Sequence, residues 1–361
     1  MFDWRESQTF RKYAKALDRT CQKIIETLHE TKTNNLSLLA KKANMSPALV
    51  HYYYDKLKNK NILKLKVKIN ERNIGLQPIE LIFKDENEKS ETNLEARLKS
   101  IGYWRYIEKY YVQMDTYWHT YYNIPKEATN EFNRFVKSLE EVNIKTVYVN
   151  TNPMEINIKT NIDWFNEEEK IWNFQWDKWI NDVLIGKEID VSLEKAEEYV
   201  LLDVHDVFIL KKLEDDAEIS FKDIASEIKV TPPTVRYHYY KHLVKYGVIE
   251  GYEPILTFYP QEISINIMTY MRFINKKAMT NLLASLEGKP FARKALVNTA
   301  QNIAIIYNYL PLDQIVEFNK ALVKIGKMGI VTECIMGIVD KKMENKIPIQ
   351  LYEKGSWKAF S

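Results

Sequence analysis

From Glu262 to Phe273 the chain reads EISINIMTYMRF, with Ile263, Ile265 and Ile267 alternating against Ser264, Asn266 and Met268. That is the period-two pattern of a half-buried strand. NKKAMTNLLASLEG follows, with Ala278, Leu282, Leu283 and Leu286 at helical spacing and a stop at Gly288. FARKALV and NIAIIYNYLP predict two strands, LDQIVEFNKALVKIGKM a helix and IVTECIMGIV a last strand. The order is βαββαβ, that of a ferredoxin-like unit. A noisier version runs earlier in the chain. Residues 76–84 predict a strand, and Thr92-Asn93-Leu94-Glu95 reads as a capping box opening a helix towards Tyr110. Residues 115–123 form an aromatic-rich strand, Phe132, Phe135, Val136 and Leu139 a helical stripe, and residues 146–150 the closing strand.

Ahead of each such stretch stands a second repeated pattern. LLAKKANMSPALVHYYYDKLKNKNIL (38–63) is echoed by DIASEIKVTPPTVRYHYYKHLVKYGVI (223–249), 185 residues further on. Ala40 answers Ala225, Ser46-Pro47 answers Thr231-Pro232, and Val50-x-Tyr52 answers Val235-x-Tyr237. Each copy predicts helix, tight turn, helix, with a hydroxyl residue capping a helix that starts on proline. An amphipathic helix precedes each copy, near 21–29 and 207–213, and an extended stretch follows, at 65–69 and 252–256. Three helices and a strand predict a winged helix-turn-helix. The expected fold is α+β, two winged helix-turn-helix domains each followed by a βαββαβ ferredoxin-like domain. The boundaries are an N-terminal helix (1–20), a first winged helix (21–72), a first ferredoxin-like domain (73–160), a joining helix (161–200), a second winged helix (201–252), a second ferredoxin-like domain (253–345) and a tail (346–361). The second copy has one residue more between Val235 and Leu243 than the first has between Val50 and Leu57.

The join differs in composition. Residues 161–200 hold 11 acidic residues, 4 lysines and four of the eight tryptophans. Trp172, Trp176, Trp179 and Val183 fall on one face of a helix, which predicts an interdomain or dimer seam. At 361 residues the chain exceeds one ordinary core, and 45% hydrophobic with 28% charged residues is globular composition. Cys21 and Cys334 are too few and too far apart for a disulfide framework or a zinc cluster. No apolar run suits a signal peptide or a membrane span, so a cytoplasmic protein is expected.

These residues resemble the Lrp/AsnC group, the feast/famine regulators of bacteria and archaea. IASEIKVTPPTVRYH followed by GVIEGY is the better match. The resemblance implies DNA binding through the helix-turn-helix, and dimerisation and effector sensing through the βαββαβ domain. Members normally carry one unit per chain, so this chain is expected to be an intrachain pseudo-dimer or to form a homodimer. The turns at 113–115 and 299–302 lack the glycine of the family's effector site, so a free amino acid is not carried over and the effector is left open.

With net charge +3, only the distribution of charge points to a partner. In the first module Lys56, Lys58, Lys60, Lys64, Lys66, Lys68 and Arg72 stand against Asp55 and Glu71. Lys64, Lys66 and Lys68 alternate along the wing strand and share one face, fit to follow a phosphate backbone. Ser46, His51 and Tyr52 are expected at the groove. The second module has 7 basic and 9 acidic residues over 201–252, yet Lys229, Arg236, Lys241 and Lys245 stand in a stretch with no acid. Arg236 is expected to read guanine, with Thr231, Thr234, Tyr237 and Lys241 beside it. The alternative for these lysines is a solvated edge, and for the second module protein docking. His238 and His242 have i, i+4 spacing, but no third ligand stands nearby in sequence, so no metal and no cofactor are expected. No nucleophile elbow, P-loop or dinucleotide fingerprint occurs. The expectation is a non-enzymatic, double-stranded DNA-binding regulator whose two modules differ. The alternatives are an architectural protein, an interaction scaffold, or a tetrapyrrole decarboxylase on the same scaffold, for which the sensing domains offer only His119.

Overall fold

Polar caps open the first three long helices. Asp18, Asn35 and Ser46 accept hydrogen bonds from backbone amides at the starts of α2 (Arg19–Thr31), α3 (Leu36–Ala43) and α4 (Pro47–Asn59), which follow a short α1 (Gln8–Ala14). The protein is described by a computed structural model covering residues 8–86, 91–141, 144–186, 199–353 and 355–360. After α4 come β1 (Leu63–Ile69), β2 (Leu76–Asp85), α5 (Glu91–Ser100), β3 (Trp104–Val112), β4 (Asp115–Pro125), α6 (Thr129–Glu140) and β5 (Ile144–Asn150). The middle of the chain supplies β6 (Met154–Asn157), the two-residue strands β7 (Phe165–Asn166) and β8 (Ile171–Trp172), and α7 (Trp176–Ile185). Next are α8 (Val204–Asp215), α9 (Phe221–Ile228), α10 (Pro232–Tyr237), a π-helix (His238–Val244) and β9 (Ile249–Leu256). The last stretch is β10 (Ser264–Phe273), α11 (Lys276–Ser285), β11 (Ala292–Asn298), β12 (Ile303–Pro311), α12 (Ile315–Lys327) and β13 (Val331–Glu344). The chain is thus mixed helix and sheet. No described helix is long and apolar enough to cross a membrane.

Two compact units form, and they do not follow the expected chain order. Unit 1 gathers residues 1–65, 154–193 and 253–338, and unit 2 gathers 66–153, 194–252 and 339–361. In unit 1 the strand order is β13-β10-β12-β11-β6, antiparallel between β10 and β12 with Met268 opposite Tyr307. β12 is buried along its whole length, which suits a largely apolar run whose polar Asn308 donates to Thr269 Oγ1. In unit 2 the order is β5-β2-β4-β3, with Leu81 of β2 opposite Thr120 of β4. Numbered within each βαββαβ run, both orders are 4-1-3-2.

Several expectations change here. The helix expected to run towards Tyr110 ends at Ser100, because Gly102 takes φ +74° and turns the chain. Residues Trp104–Val112 then form β3, a strand the sequence reading missed, with Tyr110 inside it. The side chains of Thr92 and Asn93 in the supposed capping box lie outside the described residues. Trp172 is not on a helix with Trp176 and Trp179: it lies in β8, and α7 begins only at Trp176. The tail is built into unit 2, where Trp357 Nε1 donates to the Ile74 carbonyl and Tyr103 Oη to that of Lys358.

Candidate nucleic-acid interface

In unit 2 the second module is held by three capped helices. Asp203 caps α8 in a capping box with Asp206, Ser220 caps α9, and Thr231 caps α10, which opens on Pro232. Lys229 in the left-handed conformation, φ 55°, makes the tight turn before Thr231. Val235 and Leu243 are fully buried, and between them the backbone widens into the π-helix, where Lys245 N–H reaches back five residues to the Tyr240 carbonyl at 3.2 Å. The extra residue of this copy is absorbed there, so both anchors stay in the core. Tyr239 is buried, its hydroxyl 3.0 Å from that of Tyr252.

Arg236, Tyr237 and Lys241 are exposed, as are Lys229 and Lys245. Arg236 has no ion-pair partner among the described residues. Thr231 Oγ1 lies 2.9 Å from Thr234 Oγ1 and also accepts from the Thr234 amide, so both hydroxyls serve the helix start, and one hydroxyl hydrogen of the pair is left to donate to a ligand. The acidic side chains Asp223 and Glu227 lie on α9, where Glu227 pairs with Lys212 of α8.

In the first module, Ser46 caps α4 and His51 and Tyr52 point outwards, Tyr52 being 62% exposed, while Val50, Tyr54 and Leu57 are buried. Along β1 the burial alternates, and Lys64 and Lys66 are both exposed. Lys60 is half-buried at the end of α4. Lys56 departs from expectation. Its ammonium is 3.4 Å from Asp18 and sits over the Tyr53 ring, so it ties α4 to the start of α2 instead of standing free for phosphate.

The three tryptophans expected at a seam all lie in unit 1. Trp172 and Trp179 are more than nine-tenths buried inside unit 1. Trp172 lies against Phe258 and Tyr259, and Trp176 and Trp179 lie against Phe291 and Phe318. Trp172 and Trp179 are thus spent on this core, whereas Trp176 is half-buried and borders a cleft. Beside them a cleft of about 690 Å³, bordered by α7, α12 and the stretches just before each, has Trp176, Gln314, Glu317 and Lys324 in its lining and no histidine or arginine.

His119, the one histidine of the sensing domains, is fully buried in unit 2. Its Nε2 is 2.9 Å from Glu80 and its Nδ1 3.5 Å from Glu108, so both ring nitrogens face carboxylates. Arg105 is the second buried charge centre, between Glu71 and Glu214. Neither cluster was foreseen from the sequence, because each unites segments far apart in the chain.

The family model described as winged helix-turn-helix DNA-binding matches residues 202–250. No curated protein sequence matches the chain. A crystal structure of the sirohaem decarboxylase NirDL with an iron-uroporphyrin III analogue is similar over 91% of this chain and 93% of that one, at 8% identity and a TM-score of 0.53. Escherichia coli AsnC is similar over 41% of this chain and 99% of its own, at 20% identity and a TM-score of 0.33. The expectation that the chain is not an enzyme is therefore withdrawn: nearly its whole length takes the fold of an enzyme, and the fold offers no ground for excluding one.

Proposed function

We propose that the chain is a double-stranded DNA-binding regulator of the Lrp/AsnC kind, carrying two non-identical helix-turn-helix modules. The observation that carries this reading is the match of a winged helix-turn-helix DNA-binding domain to residues 202–250, on a module whose α10 leaves Arg236, Tyr237 and the nearby Lys241 exposed. Support for a duplicated module comes from local backbone chemistry. Asp18, Asn35, Asn44 and Ser46 of the first module stand 185 residues before Asp203, Ser220, Lys229 and Thr231. The first, second and fourth of each set are N-caps, and Asn44 and Lys229 are both left-handed turn residues.

The test is a titration with random genomic duplex at several salt concentrations, followed by selection of preferred sites. A steep salt slope with an asymmetric selected motif is expected, because the two recognition helices differ. Arg236→Ala is expected to weaken specific binding by about 1–3 kcal/mol and to relax preference at one base pair. An unaltered selected motif overturns that assignment. Lys64→Ala with Lys66→Ala is expected to weaken binding to every sequence and to lower the salt slope by roughly one per lysine. A slope equal to wild type removes β1 from the interface. Salt dependence with no motif points to the architectural alternative, and no binding at low salt to a scaffold.

A second reading, decarboxylation of a tetrapyrrole, is favoured by the fold shared with the sirohaem decarboxylase. Its readout is a change in the absorption spectrum of iron-uroporphyrin III on adding the protein, together with release of carbon dioxide from a sirohaem-type substrate. An unshifted spectrum dismisses it.

A further inference from the structure

Four side chains of unit 2 meet where the start of α8 faces the π-helix. Asp203 and Asp206 come from the cap and first turn of α8, His238 and His242 from one face of the π-helix. One donor atom from each lies within 4.8 Å of all the others. His238 Nδ1 is 2.9 Å from Asp206 Oδ1 and 3.4 Å from Asp203 Oδ2, and His242 Nδ1 is 3.1 Å from Asp206 Oδ2. Asp206 is fully buried. Donors around a tetrahedral zinc ion, bonded at about 2.0–2.2 Å, stand ~3.3–3.6 Å from one another. The observed contacts, 2.9 to 3.4 Å, lie at or a little below that edge length, so a small outward shift of the side chains admits an ion. The third ligand that the local sequence around His238 and His242 lacks is supplied by α8, more than 30 residues earlier in the chain.

The first module shows what such a site does without an ion. There Asp18 caps α2, and the Lys56 ammonium answers its carboxylate at 3.4 Å. Cys21 occupies the position that Asp206 holds in the second module, 185 residues on. Allowing for the one added residue of the π-helix, His242 occupies the position of Lys56. The second module has therefore exchanged a fixed cation for an imidazole, and a thiol for a second carboxylate. Among the described residues no lysine or arginine pairs with Asp203 or Asp206. Two carboxylates this close, one of them buried, call for positive charge. The π-helix gives a separate geometric reason: its wide turn sets both imidazoles on the face towards α8, and such turns recur at functional sites.

We propose that Asp203, Asp206, His238 and His242 bind one divalent transition-metal ion of the zinc class. Two imidazoles with two carboxylates suit Zn²⁺, Co²⁺ or Ni²⁺ better than Mg²⁺ or Ca²⁺, which prefer all-oxygen sets. The ion ties the first helix of the module to the residues immediately after Arg236 and Tyr237. On the DNA-binding reading above, and only on it, metal occupancy then sets the aim of α10.

The test uses the full chain stripped with a chelator and titrated with Co²⁺, without DNA. One equivalent is expected to give the visible ligand-field absorption of a four-coordinate site, and Zn²⁺ to displace it. His242→Ala is expected to lower Co²⁺ affinity at least about tenfold. Asp203→Asn serves as the second variant, because asparagine caps a helix as well as aspartate while losing the charged donor. Far-UV circular dichroism checks that both variants fold. Absence of a one-equivalent band in the wild type overturns the proposal, as does equal affinity in wild type and both folded variants. Metal binding without DNA binding leaves the site standing and removes the regulator reading. DNA binding without metal binding does the reverse.

Discussion

Arg105→Met is expected to destabilise unit 2 by about 3–5 kcal/mol, the cost of leaving buried carboxylates without their cation. Arg105 lies on β3 with its side chain 12% exposed. Its Nε donates to Glu71 at 2.9 Å, one terminal nitrogen donates to Glu214, and the other donates to the Asn345 carbonyl at 2.9 Å. Glu214 also accepts from the Ile347 amide at 2.7 Å, so α8, β3 and the stretch after β13 share one charge centre. Burial pulls the guanidinium pKa down, but Glu71 and Glu214 outweigh it and hold it above its ordinary value. Glu71 runs the other way, because burial lifts its carboxyl above the usual range despite Arg105. Removing the arginine lifts it further, so the variant should regain stability as pH falls and Glu71 takes up a proton. Urea unfolding of wild type and variant, followed by tryptophan fluorescence, measures the difference. A loss below ~1 kcal/mol means that solvent already screens the pair. The comparison that isolates the pairing is a triple variant with Glu71, Arg105 and Glu214 all made apolar, expected near wild type because no charge is left stranded.

The contrast with what could be read from sequence is physical. Local signals carried far: the hydroxyl-proline pairs at Ser46 and Thr231 are the caps of α4 and α10, and the stretch around Ile265 is β10, although its burial does not alternate, Ile267 and Met268 both being buried. Those depend on neighbours within one or two turns. β3 is hard to see in the sequence because WRYIEKYYV alternates poorly, with five consecutive buried positions, and because the left-handed Gly102 is the one break between it and α5. The tryptophan stripe misled because period alone cannot tell a helix from a strand followed by a helix. The candidate site was half legible. Exposure of Arg236, Tyr237, Lys64 and Lys66 follows from counting faces, whereas the ion pair of Lys56 with Asp18 joins residues 38 apart. Asp206 beside His238 and His242 is of the same kind. The extra residue between Val235 and Leu243 marks only the place where the helix widens.

His119 carries the other large expected effect. Its ring lies among Glu80, Glu108 and the Tyr106 ring, with Asn150 donating to Glu80, on a part of the β-sheet that water does not reach. Burial lowers its proton affinity, but Glu108 and Glu80 together hold it above the ordinary histidine value. The folded state then keeps a proton that the unfolded chain releases near pH 6.5. Its stabilising contribution is full below that pH and is lost as pH rises through the folded value, because the native state binds more protons across that window. Stability of unit 2 should therefore fall on going from pH 6 towards the alkaline side. His119→Asn should flatten the dependence and lower stability at pH 6 by about 3–5 kcal/mol, since Glu80 and Glu108 stay buried with no cation between them. Lys342, 3.5 Å from Glu108 but 43% exposed, replaces only part of that charge. A profile of wild type that is level between pH 6 and 8 means that the folded imidazole holds no extra proton. The same variant separates a structural from a chemical role. If His119→Asn, refolded and stable at low temperature, still binds DNA and the metal as wild type does, the buried triad serves the sheet. If it instead abolishes a spectral response to iron-uroporphyrin III that wild type shows, the histidine belongs to tetrapyrrole chemistry, and the sheet is where that chemistry begins.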